Sequence, residues 1–264
     1  MPLQVVATHQ QLVDAINEFS ANYHADYFRI RPLALEYLNN PFAENTEALA
    51  RELSAVLYSW GAGRRGAPNV LPLEMVQQAL TIPALHNLLT LVSGSPLTTL
   101  SLHGGVNRAI HGTGTAPVRA AFDANLQNAL VALSTGIFAG NTNVTYPMKA
   151  LLLITGLMPA LDSQVRRGLG SAGFAGIGAW MNQFKLPGNR QSANALKLTR
   201  LPFLLADCYA NHANLLTGAG AASRYPGLSA EIGRLFDVLF FIQGSAGYPV
   251  FTLNPPARDW YRLP

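Results

Sequence analysis

A single cysteine, Cys208, stands in a chain of 264 residues, so neither an internal disulfide nor a multi-cysteine metal site can be built. A reducing cytoplasm is the compartment this leads one to expect. Charge is scarce as well: Asp, Glu, Lys and Arg together make up 12% of the chain, against about 25% in an ordinary domain. With hydrophobic residues at 49%, a solvated, disordered chain is excluded, and each charge in apolar surroundings gains weight. Long apolar runs are missing too. The longest, residues 150–161, is broken by Gly156 and Pro159 and bounded by Lys149 and Asp162, short of the ~20 residues needed to cross a bilayer. The first residues, MPLQVVATHQQLVDAINEF, lack the basic start and apolar stretch of a signal peptide. No membrane partner is expected.

The few charges that exist are unevenly placed. Residues 1–140 carry seven Arg, no Lys and nine acids, a net of −2, whereas residues 141–264 carry eleven basic residues against five acids, a net of +6. Between residues 124 and 206 the bias sharpens. Lys149, Arg166, Arg167, Lys185, Arg190, Lys197 and Arg200 there face one carboxylate, Asp162. A basic face on a charge-poor protein suits a polyanion, most simply nucleic acid. An acid alone in that stretch needs its own explanation.

The patterning is helical almost throughout. Thr8 and Gln11 have the spacing of a capping box and open a helix to about residue 23. Leu49, Leu53, Val56, Leu57 and Trp60 follow the three-to-four repeat of a helix closed by Gly61. Shorter helices are expected over 73–80 and 83–92. The Gly/Ser/Thr/Pro-rich residues 93–117 read as a long connection or a distorted helix pair. Pro117 and Pro147 each suit a first helical turn. The first of these helices runs to about residue 134, and the second ends near Gly156 to Pro159. Helices over 163–169, 174–184, 192–213 and 229–242 complete the chain. No strand pattern and no internal repeat emerges. The expected fold is all-α, one unit whose helical lobes, about 1–116 and 117–264, flank a cleft.

One segment, YPMKALLLITGLMPALDSQV, concentrates the chemistry. A helix gives way to a short turn over 140–146, a second helix starts at Pro147, and Lys149 follows within it. Asp162 comes just before the next helix. Helix starts present free backbone N–H groups, which bind phosphate well.

This segment resembles the helix-hairpin-helix DNA glycosylases, especially the 8-oxoguanine glycosylase-like branch, with the hairpin at about residues 120–158. In that family a catalytic lysine opens the second hairpin helix, and a catalytic aspartate follows in a Pro-x-x-Asp-x-x-Val-like stretch. Lys149 matches the lysine, and Asp162, between Pro159 and Val165, matches the aspartate. Asn141, Thr142, Asn143, Thr145 and Tyr146 stand where the family has its Gly-x-Gly hairpin. The resemblance implies that these residues lie against double-stranded DNA, with Arg166, Arg167, Lys185 and Arg190 as further phosphate contacts. Trp60, Trp180 and Phe184 are candidates for the wall of a base pocket.

The chemistry explains the residue types. Cleaving a base from deoxyribose builds positive charge on the sugar, which a carboxylate beside C1′ can stabilise. A lysine with a lowered pKa can attack C1′ and form a Schiff base, so a lyase step is permitted but not required. The base must first leave the helical stack for a pocket. The expected substrate is a damaged or modified base, and the modest extent of the resemblance would fit a glycosylase aimed at modified bases, including those of an invading phage.

Plainer roles exist for the same residues. Asp162 suits a helix N-cap, Lys149 a surface lysine snorkelling from an apolar helix, and Arg166 and Arg167 a solvated face. Arg64 and Arg65 lie on a turn that could reach DNA or simply be exposed. His103 and His111 match no metal-ligand spacing, and the glycines after residue 169 have no preceding strand to make a dinucleotide site. No metal, cofactor or obligate protein partner is expected. Two other classes remain open: a non-catalytic helix-hairpin-helix DNA-binding protein, and a helical interaction protein with an acidic partner.

Overall fold

The structure is a computed structural model that describes residues 2–104, 107–111, 116–177, 184–189, 193–254 and 259–262. It is mostly helical. Thr8 makes the expected capping box with Gln11, and α1 (His9–Glu18) buries Leu12, Val13, Ala15 and Ile16. The helix stops earlier than its pattern predicts, because Phe19 and Ser20 are extended or turned, and a separate helix, α2 (Ala21–Asn39), follows. α3 (Ala43–Ser59) buries Leu49, Leu53, Val56 and Leu57. α4 (Leu73–Leu80) and α5 (Pro83–Ser93) fall where their periodicity places them.

Strands are present, contrary to expectation, though all are short. β1 (Leu3–Val5) pairs antiparallel with β6 (Phe251–Leu253), Leu3 opposite Leu253. The Gly/Ser/Thr-rich region contains a hairpin of β2 (Leu100–His103) and β3 (Asn107–Ile110), not a helix pair. Leu100, Leu102, Arg108 and Ile110 point inward from it, an alternation too brief to stand out among the surrounding glycines and threonines. β4 (Thr142–Asn143) pairs with β5 (Lys185–Leu186). Residues 174–177 are turn and bend where a helix over 174–184 was expected, and residues 178–183 lie outside the described ones.

Three helices frame the region of interest. α6 (Ala116–Ile137) leads through a turn into α7 (Thr145–Thr155), giving the helix–turn–helix that the sequence predicts. The turn is pinned by Ala139 N donating to Asn69 O at 3.0 Å and Leu71 N to Ile137 O at 2.8 Å. Every residue of α7 except Tyr146 is buried, and α2, α3, α5 and α6 pack around it. α7 ends at Gly156, whose φ of 67° is left-handed and favours glycine. Arg31 reaches its last carbonyls, Ile154 O at 2.6 Å and Thr155 O at 3.3 Å, while pairing with Glu231 at 3.0 Å.

α8 (Ser163–Ser171) lies directly against α10 (Ile232–Ser245); α9 (Ala193–Ala222), kinked at His212, covers another side. The α8–α10 approach is set by glycine. A Cβ on Gly168 would fall 2.0 Å from Phe240 O, and one on Gly244 would fall 1.9 Å from Gln164 O. A Cβ on Gly233 would meet Gly156 O at 2.1 Å. Backbone therefore touches backbone, and α7, α8 and α10 are held at one fixed spacing.

Candidate functional site

Lys149 sits in the middle of α7, where its side chain is 9% exposed. The Nζ donates to the carbonyl of Trp60 and lies 5.2 Å from the centroid of the Tyr146 ring. Burial pushes its pKa down. The carboxylates of Asp162 and Asp237 pull it back up, and the Arg64 guanidinium adds to the lowering. The amine is thus held by a neutral acceptor in surroundings that disfavour its charge. A freely snorkelling surface lysine is not what the structure contains.

Asp162 is the N-cap of α8, with an extended backbone (φ −72°, ψ 179°). Its Oδ1 accepts from Gln164 N and Val165 N, both at 2.9 Å. Both cap bonds end on that one oxygen. The approach to Asp162 is stitched in place from two sides. Thr145 Oγ1 donates to Leu161 O at 2.8 Å, and Ala160 N donates to Asp237 Oδ1 at 2.9 Å. Capping and a place in the pocket coexist in this residue.

Lys149 and Asp162 line one small pocket, with a cavity volume of about 40 Å³. Phe19, Tyr23, Trp60 and Phe241 supply aromatic walls, and Ala160, Arg234 and Asp237 complete it. That is far below the roughly 300–1,000 Å³ typical of small-molecule sites, so an aromatic base enters only if the walls part. Among the described residues, Lys149 and Asp162 do not form a direct ion pair; the pair within the pocket is Arg234 with Asp237.

Arg234 and Asp237 were not anticipated from the sequence. Arg234 is 1% exposed and its guanidinium carbon lies 5.0 Å from the Phe19 and Trp60 ring centroids and 5.2 Å from that of Tyr27. It donates to Asp237 and, at 3.0 Å, to Tyr23 O. Asp237 has its pKa pushed up to about 6, first by burial and then by the neighbouring Asp162 charge. Arg234 and the Ala160 N–H oppose that rise. A signal existed: Arg234 and Asp237, three apart, are the charges of an otherwise apolar helix. They lie beyond the basic stretch of residues 124–206, where Asp162 stands as the one carboxylate.

The other expected site residues divide. Trp60 reaches the pocket wall. Phe184 does not; it is buried beside Leu130, Leu186 and Leu198 in a separate hollow, drawn there by the β4–β5 pairing, in which Val144 N donates to Phe184 O. Trp180 and Arg190 lie outside the described residues. In the turn, Asn141 is exposed and accepts from Gly188 N at 3.5 Å. Thr142 and Thr145 are buried and bond within the protein, and Asn143 Oδ1 accepts from Thr145 N at 3.0 Å. Tyr146 is half-buried, its hydroxyl 3.4 Å from Gly61 O. Arg166 is buried and binds Asp162 O through Nε at 3.3 Å, whereas Arg167 and Lys185 are exposed. Of the expected contact residues in this region Asn141, Arg167 and Lys185 are exposed, as are Arg64 and Arg65 on the turn after α3.

His103 and His111 face each other across β2–β3, ring centroids 6.1 Å apart. Among the described residues, no three His, Cys, Asp or Glu side chains converge as metal ligands. Cys208 is buried in α9, and burial raises its pKa. No helix among the described residues is long and apolar enough to cross a membrane. No family model, curated protein or solved structure matches this chain.

Proposed function

We propose that the protein is a DNA glycosylase that draws a damaged or modified base out of double-stranded DNA and cleaves its N-glycosidic bond. The reading includes a helix-hairpin-helix glycosylase-like fold, with the hairpin at about 120–158 and lobes at 1–116 and 117–264. One observation carries it: an amine disfavoured as a cation and a carboxylate share a pocket walled by four aromatic side chains. The wall rings meet one another tilted or edge-on, 5.0–5.9 Å between centroids, and a planar base would part them and lie against an aromatic face.

In this reading the Asp162 carboxylate faces the sugar. As the C1′–N bond breaks, the electron pair leaves with the base and Asp162 stabilises the positive charge left on the sugar. Water then adds to C1′ and loses a proton. Alternatively, the neutral Lys149 amine attacks C1′, and sugar ring opening gives a Schiff base, the route to strand cleavage. Arg64, Arg65, Arg167 and Lys185, all exposed, supply phosphate contacts in this reading.

The test is a panel of duplexes carrying damaged and hypermodified bases, including those found in modified phage DNA, read out as released base. Release by the wild type that is lost in Asp162→Asn, with duplex binding intact, is the expected result. A borohydride-trapped adduct on abasic DNA that disappears in Lys149→Ala assigns the amine as nucleophile. Equal release by wild type and both variants overturns the enzyme reading. Salt-sensitive duplex binding without release from any member favours a non-catalytic DNA-binding protein.

A further inference from the structure

Behind the pocket wall, outside the cavity, lies Asp26 on α2. It is 7% exposed and saturated with donors. Its Oδ2 accepts from the Trp60 indole Nε1 at 3.1 Å and from Ser59 Oγ at 2.8 Å, and its Oδ1 from Arg29 Nη2 at 3.0 Å. Two of these three donors come from the last residues of α3, so one carboxylate fixes both the end of that helix and the plane of the indole. Trp60 has three further roles. Its ring forms part of the pocket wall, it stands edge-on to Tyr23 at 5.8 Å, and its backbone carbonyl is the acceptor for Lys149 Nζ.

We propose that Asp26 is a positioning residue that locks Trp60 and, through the Trp60 carbonyl, aims the Lys149 amine in the pocket. The chemistry favours this arrangement over a direct carboxylate contact. A carboxylate at hydrogen-bond distance would stabilise the ammonium form and quench the amine as a nucleophile. A peptide carbonyl holds the amine in place without neutralising it. The negative charge is kept one residue further back, where it orients the holder and not the amine. Removing the Asp26 acceptor leaves the Trp60 N–H buried and unpartnered, so the indole and its peptide plane turn to find another partner.

The inference deepens the glycosylase reading, but its first measurement does not depend on it. Lys149 is one of three lysines, and the exposed Lys185 is an internal reference on the same chain. Trinitrobenzenesulfonate labelling, followed by peptide mapping, gives the Lys149-to-Lys185 ratio. In Asp26→Leu this ratio rises about tenfold, the equivalent of one lost buried hydrogen bond. Asp26→Asn, which keeps an acceptor oxygen, stays within about twofold of the wild type, because the acceptor rather than the charge orients the indole. On a duplex from which the wild type releases base, Asp26→Leu lowers kcat about tenfold with KM changed less than about threefold, the pattern of a misplaced reacting group.

Where Asp26→Leu fails to fold, Trp60→Phe takes its place: it keeps the backbone carbonyl and an aromatic wall but removes the indole N–H, and it raises the labelling ratio in the same direction. An unchanged ratio in the folded variant overturns the proposal, as does an equal change in Asp26→Asn and Asp26→Leu. If the ratio responds but the wild type releases no base from any duplex, the glycosylase reading falls and the Asp26–Trp60–Lys149 coupling stands. If base is released and the ratio does not respond, the coupling alone falls.

Discussion

Two buried charge clusters in this molecule are built on opposite plans. In one, Asp123 of α6 accepts from Arg108 at 2.7 and 3.1 Å and from Arg200 at 2.6 Å, joining β3, α6 and α9. Arg108 also lies over the Phe203 ring. Every charge there meets an opposite charge directly. In the other, Lys149 is held by a carbonyl and Asp162 by two backbone amides, and only Arg234 and Asp237 pair. Ions anchored by neutral groups keep their field for something that arrives. Ions anchored by each other spend it on the fold. Under the proposed function, the first cluster is structural and the second is the reactive one.

The sharpest way to break this contrast is to neutralise one acid in each cluster. Asp162→Asn keeps a good N-cap, so base release is expected to fall about 10³-fold while urea unfolding shifts by less than about 1 kcal/mol. Asp123→Ala is expected to do the reverse. It removes the carboxylate that Arg108 and Arg200 share, costs about 3–5 kcal/mol in the same unfolding assay, and leaves base release per folded molecule unchanged. A large stability loss in the first, or a large activity loss in the second, erases the distinction.

Gly244→Ala sharpens it from the side of packing. The added methyl falls within 1.9 Å of Gln164 O, so the two helices must separate at a cost of about 2–3 kcal/mol, seen as a lower urea midpoint. Because α8 carries Asp162, base release falls as well, which no equivalent change near Asp123 produces.

Acid titration gives the smallest effect. His24, buried between Phe19 and Tyr225, has its pKa lowered to about 4 by burial, with the Arg234 charge acting the same way. The unfolded chain binds its proton more readily, so this contribution is full above about pH 6.5 and is lost as pH falls towards 4. Asp237, raised to about 6, acts with the opposite sign: the folded state binds the proton more tightly, and its contribution is lost as pH rises from about 4 through 6. The two nearly cancel in the wild type, leaving a net change of about 1 kcal/mol or less between pH 6.5 and 4. In Asp237→Asn the opposing slope is gone, and unfolding free energy measured across that range drops by about 2 kcal/mol on acidification.

The sequence reading succeeded where one stretch of chain decides its own structure. The Thr8 capping box and the Asp162 cap each depend on neighbours within a few residues, and the helices on either side of the α6–α7 turn follow their own prolines and apolar pattern. It missed α2 because α1 does not continue through Phe19 and Ser20, a break that neither glycine nor proline marks. It missed β2–β3 because four-residue strands leave no period to count. The pocket was legible only in half. Lys149 and Asp162 share a segment, but Phe19, Tyr23, Arg234 and Asp237 come from the two ends of the chain. Their convergence is a property of glycine-to-backbone packing that charge counting along the sequence does not sense. Thr142 and Thr145 show the converse error, since a polar residue in a turn can face inward and serve the scaffold.

That packing also constrains how the protein can change. With Gly168 and Gly244 seated on opposing carbonyls, α8 and α10 have no slack between them, so Asp162, Arg234 and Asp237 travel as a single jaw. The facing wall, Phe19, Tyr23 and Trp60, comes from other elements near the start of the chain, and Phe241 completes it from α10. A change in the shape of this pocket therefore comes through its side chains one at a time, and not through a shift of α8 against α10.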